Sequence, residues 1–426
     1  MVFSEYLLHF AWQFRLYEGL VQRCAGGEEL RILSPGLPNQ HAGPDFSAAK
    51  IGVSGLVWVG DVEIHIRSSD WLLHGHQHDP AYDTVILHVV YEHDLDIYRN
   101  DGTLLPVLVL KDLLSAEFLS RYEQMILSID AFPCAAHFGN VPSFIVSHFL
   151  SGLMVERLEM KADQLLEKVA LMKGDWDEAF YQLLAKSFGF KVNEVPFELL
   201  AGVLPQKMLL KHLGFPLQIE ALVFGQAGFL SGTFKDPYPL SLQKEYRYLK
   251  KKYALGPIDV STWKFLRMRP QNFPTRRLAQ FCGFIMQSRA LFSRFLEIDN
   301  VQECVQLLSG IPVQPYWVHH YHFQKETKKS SVKFGLPAVY HLLINVVCVQ
   351  LYAYGKHMGQ PFLMERALSF LEQMPPEKNA VTRLYEECGM VVARASDSQG
   401  LLQLNKFYCR QKKCLNCGIG VKILNK

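Results

Sequence analysis

LVWVGDVEIHIR, residues 56–67, sets the reading of this chain. On an extended strand alternate side chains share a face. Asp61, Glu63, His65 and Arg67 therefore line one side, and Val62, Ile64 and Ile66 the other. Such a strand is expected to be half-buried, with its four ionisable groups turned to a cleft or to solvent. Ser54-Gly55 precedes it and reads as a hairpin turn to a partner strand over 46–53. Working outward, residues 29–33 form another β-type run. TVILHVVY (84–91) is more continuously apolar, as a central strand is. Residues 104–110 make a further strand, with Pro106 placing it at an edge. An amphipathic helix over 4–20 comes before them all.

Beyond residue 130 the periodicity turns helical. It predicts a long helix over 143–172 and others over 176–188, 197–212, 216–230, 240–254, 274–287, 336–355, 361–373 and 378–389. The expected fold is α+β: a mixed α/β sheet domain over 1–130, then a larger all-α domain over 131–426 closed by a cysteine metal knot. Length agrees, because 426 residues exceed one ordinary core. Apolar residues at 49% and charged residues at 20% exclude disorder, collagen-like repeats and disulfide-dense scaffolds. Lys+Arg number 44 against 41 Asp+Glu, so composition alone does not mark a nucleic-acid binder, and any such role must come from local patches. The N-terminal helix carries Glu5, His9, Arg15 and Glu18 and has no signal-peptide pattern. The most apolar later stretch, 342–354, contains Asn345 and Gln350 and falls short of the ~20 residues of a membrane span. A cytoplasmic protein without a membrane partner is expected.

The chemistry concentrates around the opening strand. Asp45 begins the preceding hairpin strand, so its carboxylate is expected beside Glu63. Two neighbouring carboxylates repel, and a divalent cation such as Mg²⁺ or Mn²⁺ resolves the repulsion. Such an ion activates water and polarises a phosphoryl oxygen. His65 points the same way as Glu63 and would orient or deprotonate that water. Asp61 would be an auxiliary ligand. The alternative is structural: Asp45 caps a turn and Glu63 pairs with Arg67 or Lys50.

Between 65 and 93 lie six of the sixteen histidines: His65, His74, His76, His78, His88 and His93. Imidazoles with carboxylates suit Zn²⁺, Mn²⁺ or Fe. His65 and His74 are the preferred ligands. His76 and His78 read equally well as surface residues, and His88 as a hydrogen-bonded core residue.

Nine cysteines are present, and Cys409, Cys414 and Cys417 form a C-x4-C-x2-C run in the tail. This spacing suits Zn²⁺ or an iron–sulfur cluster, with a fourth ligand from Cys388, Cys134 or a histidine. Arg410, Lys412 and Lys413 lie inside that loop, where a metal-pinned turn would hold them at phosphates. Arg269, Arg276 and Arg277 cluster before and within the helix expected from 274. They would grip phosphate or pair with acids of neighbouring helices. Residues 220–228 read as a tightly packed helix whose small residues permit close approach.

Pro44-Asp45, seventeen intervening residues and then Glu63-Ile64-His65 resemble the PD-(D/E)xK nuclease superfamily, as does the helix-then-strands order. The resemblance implies a nuclease-like sheet, with Asp45 and Glu63 as metal ligands and Glu18 or Glu5 as an additional helix carboxylate. Two departures stand out: His65 replaces the usual Lys, and the following helix has only 69–82 to form in, a stretch holding Gly75 and Pro80. Along its length the chain also resembles domain-of-unknown-function family 2851. The matching stretches are AGPDF (42–46), GDVEIH (60–65), SSDW (68–71), YDTVILHVVYE (82–92), FGQAGFL (224–230), RPQNFPTRRLAQ (269–280) and YCRQKKCLNCGIG (408–420). That family usually has Asn at position 61 and supplies no activity.

The expected function is a metal-dependent nuclease or phosphodiesterase acting on nucleic acid, DNA above all. One alternative is a non-enzymatic nucleic-acid-binding or scaffold protein with a degenerate nuclease-like fold. The other is a His/carboxylate metallohydrolase acting on a small molecule, whose metal would be lost on changing His74 and His76 together.

Overall fold

The computed structural model describes residues 4–17, 19, 21–39, 41–287 and 291–425, so Glu18 lies outside the described residues. The chain is α+β and divides into two compact units, Met1–Phe149 with Leu404–Lys426, and Leu150–Gln403. Helical periodicity does begin near 130, but residues 131–149 and the tail 404–426 belong to the unit that holds the sheet. Periodicity reports a helix, not the core that the helix joins.

The sheet unit opens with helix α1 (Glu5–Gln13), followed by β1 (Gln22–Arg23), β2 (Glu29–Ser34), β3 (Leu37–Pro38), β4 (Phe46–Val53), β5 (Leu56–Arg67), β6 (Val85–Glu92) and β7 (Val107–Val109). The order is β1-β2-β4-β5-β6-β7, with β3 beside β4. The pairs from β1 to β5 are antiparallel, while β5–β6 and β6–β7 are parallel. Ala25, just beyond β1, donates its N–H to Val107 O of β7 at 2.8 Å, so the sheet nearly closes on itself.

Two local features govern β5. Its first half is exposed at Leu56, Val57 and Val59, whereas Val62 to His65 are buried one after another. Both faces are therefore covered where the ionisable groups sit, and the expected open polar face is closed over. A bulge also interrupts the β5–β6 ladder: Asp61 pairs with Val85 but Val62 with Leu87, leaving Ile86 extra. Gly60 makes room for it, since a Cβ there would lie 2.4 Å from Ile86 Cγ2.

The β5-to-β6 crossover holds no long helix. It is a four-residue turn of helix α2 (Asp70–Leu73) and two 3₁₀ turns, His76–His78 and Pro80–Tyr82. Gly75 at φ +77° breaks the first, and Pro80 starts the last.

The other unit is helical around one large apolar core. Helices Trp176–Phe188, Pro274–Gln287 and Pro361–Gln373 sit where periodicity places them. Phe190–Val203 bends at non-helical Asn193, ahead of Pro196, so the helix expected over 197–212 starts earlier and stops before Pro205. Leu336–Met358 is long and apolar enough to cross a bilayer, but 72% of its most apolar stretch is buried, as in a core helix.

Candidate metal centre

The centre is built by three pieces of the sheet unit: α1, the β4–β5 hairpin and the crossover. Ala48 adopts a left-handed φ of +54° where the β4–β5 register shifts. That bulge sets the start of β4 against β5 so that Asp45 and Glu63 lock reciprocally. Asp45 N–H donates to Glu63 Oε2 at 3.1 Å, and Ile64 N–H donates to Asp45 Oδ2 at 2.9 Å. From α1, His9 brings Nε2 to 3.2 Å from Asp45 Oδ2, and burial raises the carboxyl of half-buried Glu5, which stands near His74, His9 and Asp45.

The crossover turns bring two imidazoles back onto β5. His65 Nε2 lies 3.1 Å from His74 Nδ1 and 3.5 Å from Glu63 Oε1. His76 Nε2 lies 3.2 Å from the same Glu63 oxygen. One ligand atom from each of His65, His74 and His76 falls within 4.8 Å of the others. Donors ~2.0–2.2 Å from one ion sit roughly 3.0–3.5 Å from each other. His76 Nε2 and His9 Nε2 are both buried and make no hydrogen bond among the described residues, despite carboxylate oxygens at 3.2 Å. Close approach without hydrogen-bond alignment is how two ligands of a shared ion stand.

Ring packing fixes these imidazoles. His76 stacks on Tyr82 at 3.8 Å between centroids, and Trp71 meets both His76 and His88. His88 Nε2 is 2.9 Å from His65 Nδ1, which leaves His65 Nε2 as the nitrogen turned to Glu63 and His74. Burial, and then the neighbouring His76 and His74, push His65 down to about 4. Burial holds His88 well below the usual histidine range too. Neutral imidazole is the ligating form. Burial first, then the Asp45 carboxylate, pushes Glu63 up to about 9. A carboxyl so displaced favours a cation beside it.

Three nitrogens and a carboxylate oxygen suit Zn²⁺, Mn²⁺ or Fe²⁺. They do not fit Mg²⁺, which takes oxygen ligands almost alone.

The family model described as "Protein of unknown function (DUF2851)" matches residues 5–380. The chain belongs to that family. No curated protein and no solved structure matches it. The matched span of this DUF2851 member covers the whole metal-centre cluster and stops before the cysteine stretch 408–420.

In this DUF2851 chain the structure brings together Asp45, Glu63, His65 and His74 of the expected residues. Glu5, the alternative helix carboxylate, and His76, a ligand in the metallohydrolase alternative, join them; His88 is the hydrogen-bonded core residue expected, and His9 is new. Asp61 is spent elsewhere: its oxygens accept from Ala48 N–H at 3.2 Å and the Thr84 hydroxyl at 2.6 Å. His65 is only 2% exposed and enclosed by imidazoles, which suits a ligand better than the water-activating base it was expected to be. The signal for His76 was present in the HGHQH spacing, but a loop does not announce which of its side chains fold inward.

In the helical unit, Arg276 and Arg277 are corrected from phosphate contacts to structural groups. Both are buried; Arg276 donates to Trp317 O and Ser330 Oγ, and Arg277 to Gln280 Oε1 and Asn272 Oδ1. Arg277 also lies over the Phe190 ring at 4.2 Å. Arg269 is exposed. In the sheet unit, Arg410, Lys412 and Lys413 are exposed, whereas Cys409, Cys414 and Cys417 are buried and free of disulfides.

Proposed function

We propose that the sheet unit is a metal-dependent phosphodiesterase of the nuclease kind, its ion held by Glu63, His65, His74 and His76. The observation that carries this is the convergence of three imidazole nitrogens and one carboxylate oxygen, neighbouring pairs 3.1–3.5 Å apart, from buried Glu63 and His65, half-buried His76 and exposed His74. A bound transition-metal ion supplies an activated water and a polarised phosphoryl oxygen. The chain supplies the rest. Asp45 stands on the more open side, its side chain 25% exposed, and Oδ1 accepts no hydrogen bond among the described residues. That oxygen is the acceptor for the water proton, and His9 beside Oδ2 orients the carboxylate. His65, closed off from substrate, serves as ligand.

The phosphodiester substrate rests on the PD-(D/E)xK resemblance, carried by Pro44-Asp45 and Glu63 and by an order of helix, antiparallel strands β1 to β5, short crossover and parallel strand β6. Exposed Arg410, Lys412 and Lys413 in the same unit would meet nucleic-acid phosphates.

Purified protein should cleave single-stranded DNA, duplex DNA or RNA with Mn²⁺, Zn²⁺ or Fe²⁺, and poorly with Mg²⁺. Asp45→Asn and Glu63→Gln should each lower the rate by about 10²-fold or more. Full cleavage by both variants sinks the reading. A second reading draws on a cavity of about 220 Å³ lined by His76, Trp71, Tyr82 and Arg99. It favours a metallohydrolase for a small molecule, and turnover of esters or amides without phosphodiester cleavage would select it.

A further inference from the structure

The helical unit carries a basic face that the function above does not use. Residues 264–272 and 319–333 hold seven Lys and Arg against one acid, Glu326. Lys264, Arg267 and Arg269 lie on the first segment, and Lys325, Lys328, Lys329 and Lys333 on the second, all exposed. Elsewhere in this unit Lys168, Lys186, Lys207 and Lys356 pair with carboxylates. None of the seven makes an ion pair among the described residues. Like charges gathered on a surface without partners repel, and a polyanion relieves the repulsion.

Packing brings the two segments together. β8 (His320–His322) and β9 (Lys325–Glu326) form a hairpin. Its His322 ring lies 4.6 Å from Phe265 and 4.9 Å from Phe273, centroid to centroid. The buried start of helix Pro274–Gln287 fastens the hairpin. The Thr275 hydroxyl donates to Tyr321 O, and Arg276 donates to Trp317 O and Ser330 Oγ with its guanidinium 4.5 Å from the Tyr321 ring. Asn193 grips the first segment, accepting from Lys264 N–H at 2.9 Å and donating to Lys264 O at 3.0 Å. Gln324 at the hairpin tip donates to Thr233 O and accepts from Lys235 N–H, each at 2.8 Å. Gln324 and Arg267 both stand at φ +60°, a conformation that surrounding structure must impose on a non-glycine residue. The cations are therefore carried on a fixed backbone.

We propose that this face binds the backbone of nucleic acid, its seven cations meeting phosphates and the half-buried rings of Phe265, Tyr321 and His322 offering faces to bases. Cations on a rigid scaffold meet a phosphate chain at several points, and rings among them take stacked bases. Anionic lipid headgroups would match the charge but leave the rings unused. The choice of nucleic acid among polyanions rests on the phosphodiesterase reading, whereas the basic face itself does not. Buried Arg276 then serves phosphate binding at one remove, by fixing the hairpin that carries the lysines.

The test uses the full chain, titrated into labelled single-stranded and duplex oligonucleotides by fluorescence anisotropy, with EDTA present so that cleavage does not intervene. Lys325→Glu/Lys328→Glu/Lys329→Glu and Arg267→Glu/Arg269→Glu should each weaken binding by about 10-fold or more. Each should also flatten the plot of log Kd against log salt by about one unit of slope per cation removed. Lys250→Glu/Lys251→Glu/Lys252→Glu reverses an exposed run on helix Pro237–Tyr253 and should bind like wild type. Should a reversal variant lose its circular dichroism, the milder Lys328→Gln/Lys329→Gln should move affinity and slope in the same direction. Because this binding needs no metal, its failure and the failure of cleavage are separate results. Unchanged affinity in the folded variants overturns the proposal, as does equal loss in the 250–252 variant. Binding to phosphatidylserine vesicles but to neither oligonucleotide overturns it too.

Discussion

At the scale of single residues, the proposed metal centre would depend on groups that do not touch the ion. His88 is fully buried in β6 and its Nε2 fixes the His65 ring. Partners of this sort hold the tautomer and aim the ligand. His88→Leu should therefore weaken Zn²⁺ or Mn²⁺ binding by about 10–100-fold while the circular dichroism of the fold is retained. A chelator-competition titration reads the affinity, and an unchanged value would show that His88 is only packing. In the helical unit, Lys161 is a different case of buried charge. Burial first, and then Arg157, push its ammonium down to about 7, although Asn345 and Gln399 accept its hydrogen bonds. A depressed lysine means that the unfolded chain binds more protons between about 7 and 10.5. This residue's contribution to stability therefore rises with pH across that window. Lys161→Met should compare better with wild type near pH 7 than near pH 9.5 in denaturant unfolding. A pH-independent difference would assign Lys161 an ordinary pKa.

At the scale of elements, close backbone approach and helix ends make the sharpest predictions. Helix Pro216–Gln226 crosses helix Pro237–Tyr253 at Gly225, where a Cβ would lie 2.1 Å from the Tyr246 ring. Tyr246 is itself buried, so the ring has nowhere to swing. Gly225→Ala should cost about 1–3 kcal/mol in thermal or denaturant unfolding, the usual range for overpacking. At the end of the second helix, exposed Ala254 sits in the left-handed region at φ +52°. Ala254→Gly should stabilise by about 0.5–1 kcal/mol, since glycine carries no Cβ clash there. The small residues of 220–228 were legible as a packing helix, because spacing alone exposes them. The crossover after β5 was legible only as the absence of room for a helix. That its turns would fold His74 and His76 onto Glu63 depends on Gly75, Pro80 and the stacking of His76 on Tyr82, and no periodicity encodes a stacked ring.

At the scale of the whole molecule, the tail returns to the sheet unit across 254 intervening residues, 150–403. Ile419, Ile423 and Leu424 are buried there. Deleting 404–426 should therefore raise amide hydrogen exchange throughout 1–149 far more than in 150–403. Equal loss of protection in both units, or none in the first, would contradict the division. The arginines of 269–280 teach the same lesson at long range. Their cluster was plain in the sequence, but whether guanidinium groups face phosphate or the backbone of Trp317 depends on which helices surround them.

The sequence by itself determined the α+β class, the β4–β5 hairpin, the strand that carries Glu63 and His65, most helix positions and the pairing of Asp45 with Glu63. These follow from period-2 and period-3.6 patterning and from turn chemistry, which are local. Only the tertiary structure decided the rest. Ala48 and Thr84 engaged Asp61, the crossover brought His76 in beside Glu63, and α1 delivered His9 to Asp45. Each of these depends on contacts between segments remote in sequence, and such contacts are set by which surfaces bury together and not by the order of residues along the chain.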